Sequence, residues 1–494
     1  MLLKLRGIPT ARKWTLFIVA LLITLGSTAS AQLPPGTRVT LQHGSALFER
    51  VFSPSQGAVT EATAPPTNLD PLAPAAVDWP QVQNDPQRTG YAGETLGTTF
   101  RVRWTRPFQP EKVHPQVQAI VYSGRVFVGT EMGRLYALDA KTGSQSWVYP
   151  VGAPILNSVA AGYGKVYFGA MDGAVYAVHA ITGTLAWKNQ LASRLGFSTA
   201  PVLADGKVML GGRNGVFYAL DPSTGTVVWQ YTVGSPILQT AAWNNGRVFF
   251  GAMDMRVYAL DTATSASPRR AWQSAKISGM AFKDYWPLVY GSKVYIIPTG
   301  GRALGVTDGT QVANAAAQQA VLNDYAAHPG NYEKSLFALN ESNGQEAPAV
   351  IYYPEQTMHG APSPPCVSRD GYFIIPAPKP TGEIRSGWAE LDVNQRIVIR
   401  TLYQGNDAGY GNGDETFNVT CSQNLVLTFQ TQEGNAHDTG YFNLDTRRWT
   451  LIGAGHINFQ MSTNTQGGGG NPPSIADGWV YHISWHELIA RSTQ

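Results

Sequence analysis

Cysteine is nearly absent from this chain: only Cys366 and Cys421 occur in 494 residues. Two cysteines exclude a C-x-x-C-H haem attachment site and a four-cysteine zinc site. Charge is also scarce. Asp, Glu, Lys and Arg make up 14% of the residues and the net charge is +3, which gives no basic surface for nucleic acid or an anionic membrane. Long apolar runs are lacking, so no membrane span is expected once the N-terminal leader is removed. The only glycine cluster, Gly467 to Gly470, lacks the strand-to-helix context of a phosphate cradle and reads as a loop tip.

What is present begins with an address. Lys4, Arg6, Arg12 and Lys13 precede an uncharged run over 14–26, and Ala29-Ser30-Ala31 follows. A basic segment, a short apolar core and an A-x-A exit describe a cleavable secretory signal over 1–31. An uncleaved anchor is the alternative. The expected location is therefore outside the cytoplasm, periplasmic or extracellular. Residues 32–77 are rich in Pro, Ala and Thr and read as a linker or arm, with one stray strand over 37–47. Residues 78–494 hold the fold.

That fold is written as a repeat. Gly124-Arg-Val-Phe-Val-Gly129 leads to Gly133-Arg-Leu-Tyr-Ala-Leu-Asp139, then Thr142-Gly143 and Trp147. A second copy ends in Ala177, Gly183 and Trp187, and a third in Ala219, Asp221, Gly225 and Trp229. A fourth carries Ala259 and Asp261, with Trp272 displaced by a few residues. The spacing of roughly forty residues is that of a four-stranded propeller blade. Asp139 and Asp221 can bond backbone N–H groups two residues on and start a turn. Gly143, Gly183 and Gly225 supply its positive φ. Small Ala137, Ala177 and Ala219 admit the neighbouring blade, and the tryptophans fill the wedge between blades as core. Weaker copies at 336–340, 388–392, 441–445 and 479–483 bring the count to eight, with seven as the alternative. Phe100-Arg-Val-Arg-Trp104 reads as an outer strand with no blade before it, which would close the ring against the last blade.

The motif Ala-x-Asp-x-x-Thr-Gly-x-x-x-Trp resembles the tryptophan-docking motif of the quinoprotein (pyrroloquinoline quinone) propeller family. Ala137 to Trp147 and Ala219 to Trp229 match it at every named position; Ala177 to Trp187 has His179 in place of Asp. Asp78-Trp79-Pro80 and Asp85-Pro86-Gln87-Arg88-Thr89-Gly90 also resemble the segment that leads into such propellers. The resemblance implies an all-β, eight-bladed propeller. It is closer to the non-catalytic outer-membrane-assembly branch than to the dehydrogenases, whose larger members carry an adjacent cysteine pair against the quinone. That branch is normally lipid-anchored, whereas no cysteine follows the apolar core here.

Function is expected in the loops. Strands run A to D outward in a blade, so B–C loops and D-to-A connections share one face. Blades one to three keep these loops short. Later ones lengthen to 300–334 (with a helix near 311–325), 376–386, 431–440, 276–286, 355–363, 403–416 and 453–473, all on that face. Long loops on a rigid scaffold carry binding. The candidate ligand-face residues are Lys283, Asp284, Tyr285, Trp286, His359, His437, Asp438 and His456. Asp407, Asn412, Asp414 and Glu415 offer hard oxygens in a glycine-rich loop that calcium tolerates, without EF-hand spacing; a solvated turn is the alternative. Cys366 and Cys421 fall near inner strands of successive blades, where they form a disulfide or stand as two buried thiols.

Two functional classes follow. One is an exported, non-catalytic propeller, expected to be monomeric, that binds a protein, glycan or small ligand through the long loops of blades five to eight. The other is a quinoprotein dehydrogenase, which requires a quinone stacked on a tryptophan, calcium held by Glu, Asn and Asp, and an Asp base. No catalytic residue is assigned. Calcium is the one cofactor candidate, and pyrroloquinoline quinone is not expected.

Overall fold

A computed structural model describes residues 38–43, 46–51 and 78–494, apart from 193–194, 284, 299–335, 348–363, 379–385, 395–396, 402–418, 429–439, 452–471 and 484–486. The chain divides into two compact units, Met1–Pro66 and Thr67–Gln494. In the first, Arg38–His43 pairs antiparallel with Ala46–Val51. A hairpin therefore stands where the sequence suggested a single strand. Among the described residues no helix is long and apolar enough to cross a membrane.

The second unit is an eight-bladed β-propeller of antiparallel sheets. Blade one consists of Ile120–Tyr122, Arg125–Gly129, Arg134–Asp139 and Gln145–Pro150, from the channel outward. The next three blades repeat this plan, ending in outer strands Leu185–Gln190, Val227–Thr232 and Arg270–Gln273. In blade five Leu288–Tyr290, Lys293–Ile296 and Phe337–Asn340 are described. Blades six and seven have inner strands Cys366–Val367 and Val419–Cys421. Blade eight takes Ser474–Ala476, Trp479–Ile483 and Glu487–Ser492 from the end of the chain and Arg101–Pro107 from its beginning. The outer strand read at 100–104 thus closes the ring.

The repeat motif works through one contact used again at each blade boundary. Beside a bulge in the outer strand, Ala137 lies opposite Trp147, Ala177 opposite Trp187, Ala219 opposite Trp229 and Ala259 opposite Trp272. Each indole then leans on the next blade. Trp104 Nε1 donates to Ala140 O at 3.0 Å, Trp147 to Ala180 O at 3.1 Å, Trp187 to Pro222 O at 3.1 Å and Trp272 to Glu341 O at 2.8 Å. Such a bond contributes about 1 kcal/mol net. The turn glycine is needed twice over: Gly183 has φ +71°, and a Cβ there would lie 2.5 Å from the Trp147 ring. The displaced fourth repeat solves the same problem differently. Its longer turn restores the register of Trp272, and the Arg269 guanidinium lies 4.6 Å from the centroid of Trp229, where other blades present a glycine.

Asp139 accepts from Lys141 N and Thr142 N, and Asp221 from Ser223 N and Thr224 N. At the other end of the third strand a tyrosine ties down the B–C loop. Tyr176 donates to Asp172 at 2.5 Å and Tyr258 to Asp254 at 2.6 Å, while Asn214 donates to the Tyr218 hydroxyl at 2.7 Å. Blade one has Met132 at this loop position. There Tyr136 donates to Glu111 from the preceding segment at 2.6 Å.

Candidate functional site

The innermost strand of each blade turns one edge toward the channel, and an unpaired edge needs partners. Residues 78–97 supply them. Val121 N donates to Trp79 O, Ala161 N to Pro80 O, Trp243 N to Pro86 O, Val289 N to Gln87 O, Val367 N to Thr89 O and Cys421 N to Gly90 O. Leu203 N donates to Gln81 Oε1. These seven amides occupy the same register in blades one to seven, each opposite the second residue of the adjoining strand or its equivalent. Gly478 N in blade eight donates to Glu94. The segment therefore circles the channel and floors it on the side of the A–B turns, opposite the long loops.

Local chemistry makes so tight a path possible. Gln83, Asn84 and Arg88 all have positive φ, and Asp85 accepts from both Thr89 N and the Thr89 hydroxyl. Gly90 sits where a Cβ would strike Gln83 Oε1 and crowd Cys366. Arg88 is 0% exposed. It donates to Ala241 O (2.9 Å), Val82 O (2.8 Å), Pro201 O (3.3 Å) and Gln81 Oε1 (3.4 Å), clamping blades three and four to the floor. Burial pulls its guanidinium well below its ordinary range, against the Asp85 carboxylate, whose own pKa burial raises.

Above the floor, neutral polar groups preceding the inner strands link the blades to one another. Gln118 Oε1 accepts from Gln83 N of the floor, and Gln118 N donates to Ser158 Oγ. Asn157 Nδ2 donates to Ser198 O (3.0 Å), Gln116 Oε1 (3.2 Å) and Thr240 Oγ1 (3.4 Å), so a blade-two side chain reaches blade four. Trp286, rooted before blade five, packs on Val82 of the floor and Ala200 of blade three.

Of the ligand-face candidates, Lys283 is exposed, Tyr285 half-buried and Trp286 only 6% exposed. Trp286 is thus buried against Val82 and Ala200. Asp284, His359, His437, Asp438 and His456 lie outside the described residues, as do Asp407, Asn412, Asp414 and Glu415 and the helix read near 311–325. Cys366 and Cys421 form a disulfide with Cα atoms 6.0 Å apart, joining the inner strands of blades six and seven beside Gly90. Among the described residues no three His, Cys, Asp or Glu converge as a metal site. The described loop face exposes apolar side chains instead: Met280 (78%), Met132 (57%) and Leu195 (53%).

The floor and the amide ring are the parts sequence reasoning missed. The available signal was the cluster of polar residues just before each inner strand, together with the run from Asp85 to Gly90.

A family model described as outer membrane protein assembly factor BamB matches residues 98–200 and 171–354. No curated protein matches the chain by sequence. Among solved structures, a quinohemoprotein alcohol dehydrogenase from Comamonas testosteroni is similar at 13% identity. Its TM-score is 0.55, with 84% of this chain and 80% of that one covered. A europium-containing methanol dehydrogenase is similar at 12% identity and TM-score 0.52, covering 84% of this chain and 98% of that one. BamB from Moraxella catarrhalis, at 14% identity and TM-score 0.49, covers 80% of this chain and 100% of its own. At these identities the solved structures speak to the fold alone.

Proposed function

Because the chain belongs to the PQQ-like propeller family described as outer membrane protein assembly factor BamB, we propose that it is an exported, non-catalytic propeller that holds a partner on its B–C and D–A loop face. The observation that carries this reading is the set of neutral contacts at the inner ends of the blades. Residues 78–97 occupy the inner edges of the blades, and Gln118, Asn157 and Thr240 interlock above them. Above the floor, Gln118, Asn157 and Thr240 offer amides and a hydroxyl but no carboxylate that would neutralise calcium, so these described residues do not fit the metal and quinone of the dehydrogenases. The Trp286 ring is engaged by Val82 and Ala200. Exposed Met132, Leu195 and Met280 give the loop face the apolar, adaptable character of a protein-binding surface. Export rests on the N-terminal signal. A task in outer-membrane protein assembly is suggested by the family's description and belongs to this proposal.

Two measurements test it. The mature chain is titrated with pyrroloquinoline quinone, with and without calcium, following heat and quinone absorbance. No saturable binding is expected; calcium-dependent binding with dye-linked alcohol oxidation would replace this reading with the dehydrogenase. Photo-crosslinkers are then placed in cells at Met132 and Met280 on the loop face, and at Lys141 and Ser223 on the opposite face. Discrete adducts are expected from the first pair, and adducts confined to the second pair would refute the assignment of the face.

A further inference from the structure

The mouth of the channel on the loop side has a composition that the partner-binding reading does not by itself require. Gln116, Ser198 and Tyr285 are half-buried at the rim, with Asn157, Thr240 and Trp286 buried beneath them. The six residues are contiguous. Asn157 Nδ2 links Gln116, Ser198 and Thr240, and Thr240 N donates to Tyr285 O at 3.0 Å. The Tyr285 ring stands perpendicular to Trp286, 89° between planes and 5.8 Å between centroids. None of the six carries a formal charge.

We propose that this mouth is a subsite for an uncharged sugar ring. The proposal rests on the loop face being the binding face and names one class of ligand for it. Carboxamides, hydroxyls and carbonyls both donate and accept, which matches the dual character of sugar hydroxyls. A tyrosine face offers the flat apolar surface that the C–H face of a pyranose covers. A charged ligand would lose water here without meeting a counter-charge among these residues. A second observation points the same way. The indole Nε1 of Trp286 is buried and finds no acceptor among the described residues, although buried indole donors are normally paired. A ligand hydroxyl oxygen within reach of this N–H would supply that acceptor.

The test uses the mature chain from Gln32 with its disulfide intact. Cellotetraose, maltotetraose and chitotetraose are titrated by calorimetry and by saturation-transfer NMR. Saturable binding of at least one, with a Kd between ~10 µM and ~1 mM, is expected. Tyr285→Ala should weaken it at least ~10-fold and Trp286→Phe, which keeps a ring but removes the N–H, about 3- to 10-fold. Gln116→Ala, at the rim, should weaken it by several-fold and serves if either aromatic variant fails to fold. Absence of saturation for all three sugars at ~10 mM overturns the proposal, as does binding that Tyr285→Ala and Gln116→Ala leave unchanged. The crosslinking outcome separates the two ideas: loop-face adducts without sugar binding remove this subsite and leave the partner-binding role standing.

Discussion

Two glycines of blade two separate backbone strain from blade docking. Gly164 and Gly183 share φ +71°, but a Cβ at Gly164 would meet nothing within 4 Å, while one at Gly183 would lie 2.5 Å from the Trp147 indole. An alanine at either position bears the same left-handed strain, ~1–2 kcal/mol. At Gly183 it must also push the indole aside. Overpacking of this kind costs ~1–3 kcal/mol, and the bond from Trp147 Nε1 to Ala180 O adds ~1 kcal/mol if it is lost. Gly183→Ala should therefore be less stable than Gly164→Ala by ~2–4 kcal/mol. For the roughly 300 described residues of the propeller the unfolding entropy makes 1 kcal/mol worth only about 1.6 °C, so urea midpoints resolve the pair better than melting curves. Trp147→Phe in both backgrounds completes the comparison and should bring the two alanines together. Equal midpoints for Gly164→Ala and Gly183→Ala in the wild-type background would refute the docking account, leaving the glycine a matter of φ alone.

Three further outcomes are expected. Replacing Cys366 and Cys421 by serine removes a cross-link with a sequence separation of 55. The midpoint should fall by the equivalent of up to ~4 kcal/mol, and amide exchange at Ala92 and Cys421 should quicken; a midpoint equal to wild type would show that the floor alone holds blades six and seven. Arg88→Met takes the guanidinium donors away from three backbone carbonyls, while the Gln81 amide oxygen keeps Leu203 N. A loss of about 3–5 kcal/mol is expected, with protease cleavage appearing within 78–97 and only partial rescue by Arg88→Lys; a resistant variant would argue against the clamp. His482 is fully buried, and burial, then the charge of Arg491, hold its pKa down to about 3. Between its ordinary value of 6.5 and about 3 the unfolded chain takes a proton that the folded chain does not. Stability should therefore fall with decreasing pH across that window, by at most about 1.4 kcal/mol per pH unit from this group. His482→Leu should flatten that limb of the denaturation profile, and an unchanged slope would disprove its source.

The blades were legible because their signals are local. An Asx turn, a positive φ and an indole at fixed spacing each act within a dozen residues, so the first three repeats declared themselves, His179 notwithstanding. Trp272 looked misplaced because its turn is longer, and only the register with Ala259 shows that it serves the same purpose. Nothing local marks Arg269 as the stand-in for a glycine against Trp229. Trp286 read as a ligand-facing residue because it lies in a lengthened connection. Its burial depends on Val82 and Ala200, far away in sequence. The segment over 78–97 was visible only as a resemblance, since its partners are the edges of strands spread over more than 300 residues.

That spread bears on how the molecule acquires its structure. Glu94 bonds Gly478 across 384 residues, and among the described residues Arg101–Pro107 pairs with Glu487–Ser492 alone. A chain made from its N-terminal side produces the floor and the closing strand before the blades, yet neither has its full set of partners until residues 478–492 emerge. Early blades can form as local meanders, but the cooperative step must await residues 478–492. Contacts of such long sequence range slow folding and expose unpaired strand edges meanwhile. The propeller should accordingly mature in two stages, and refolding should be slowed most by changes in residues 78–107, not by changes in the central blades.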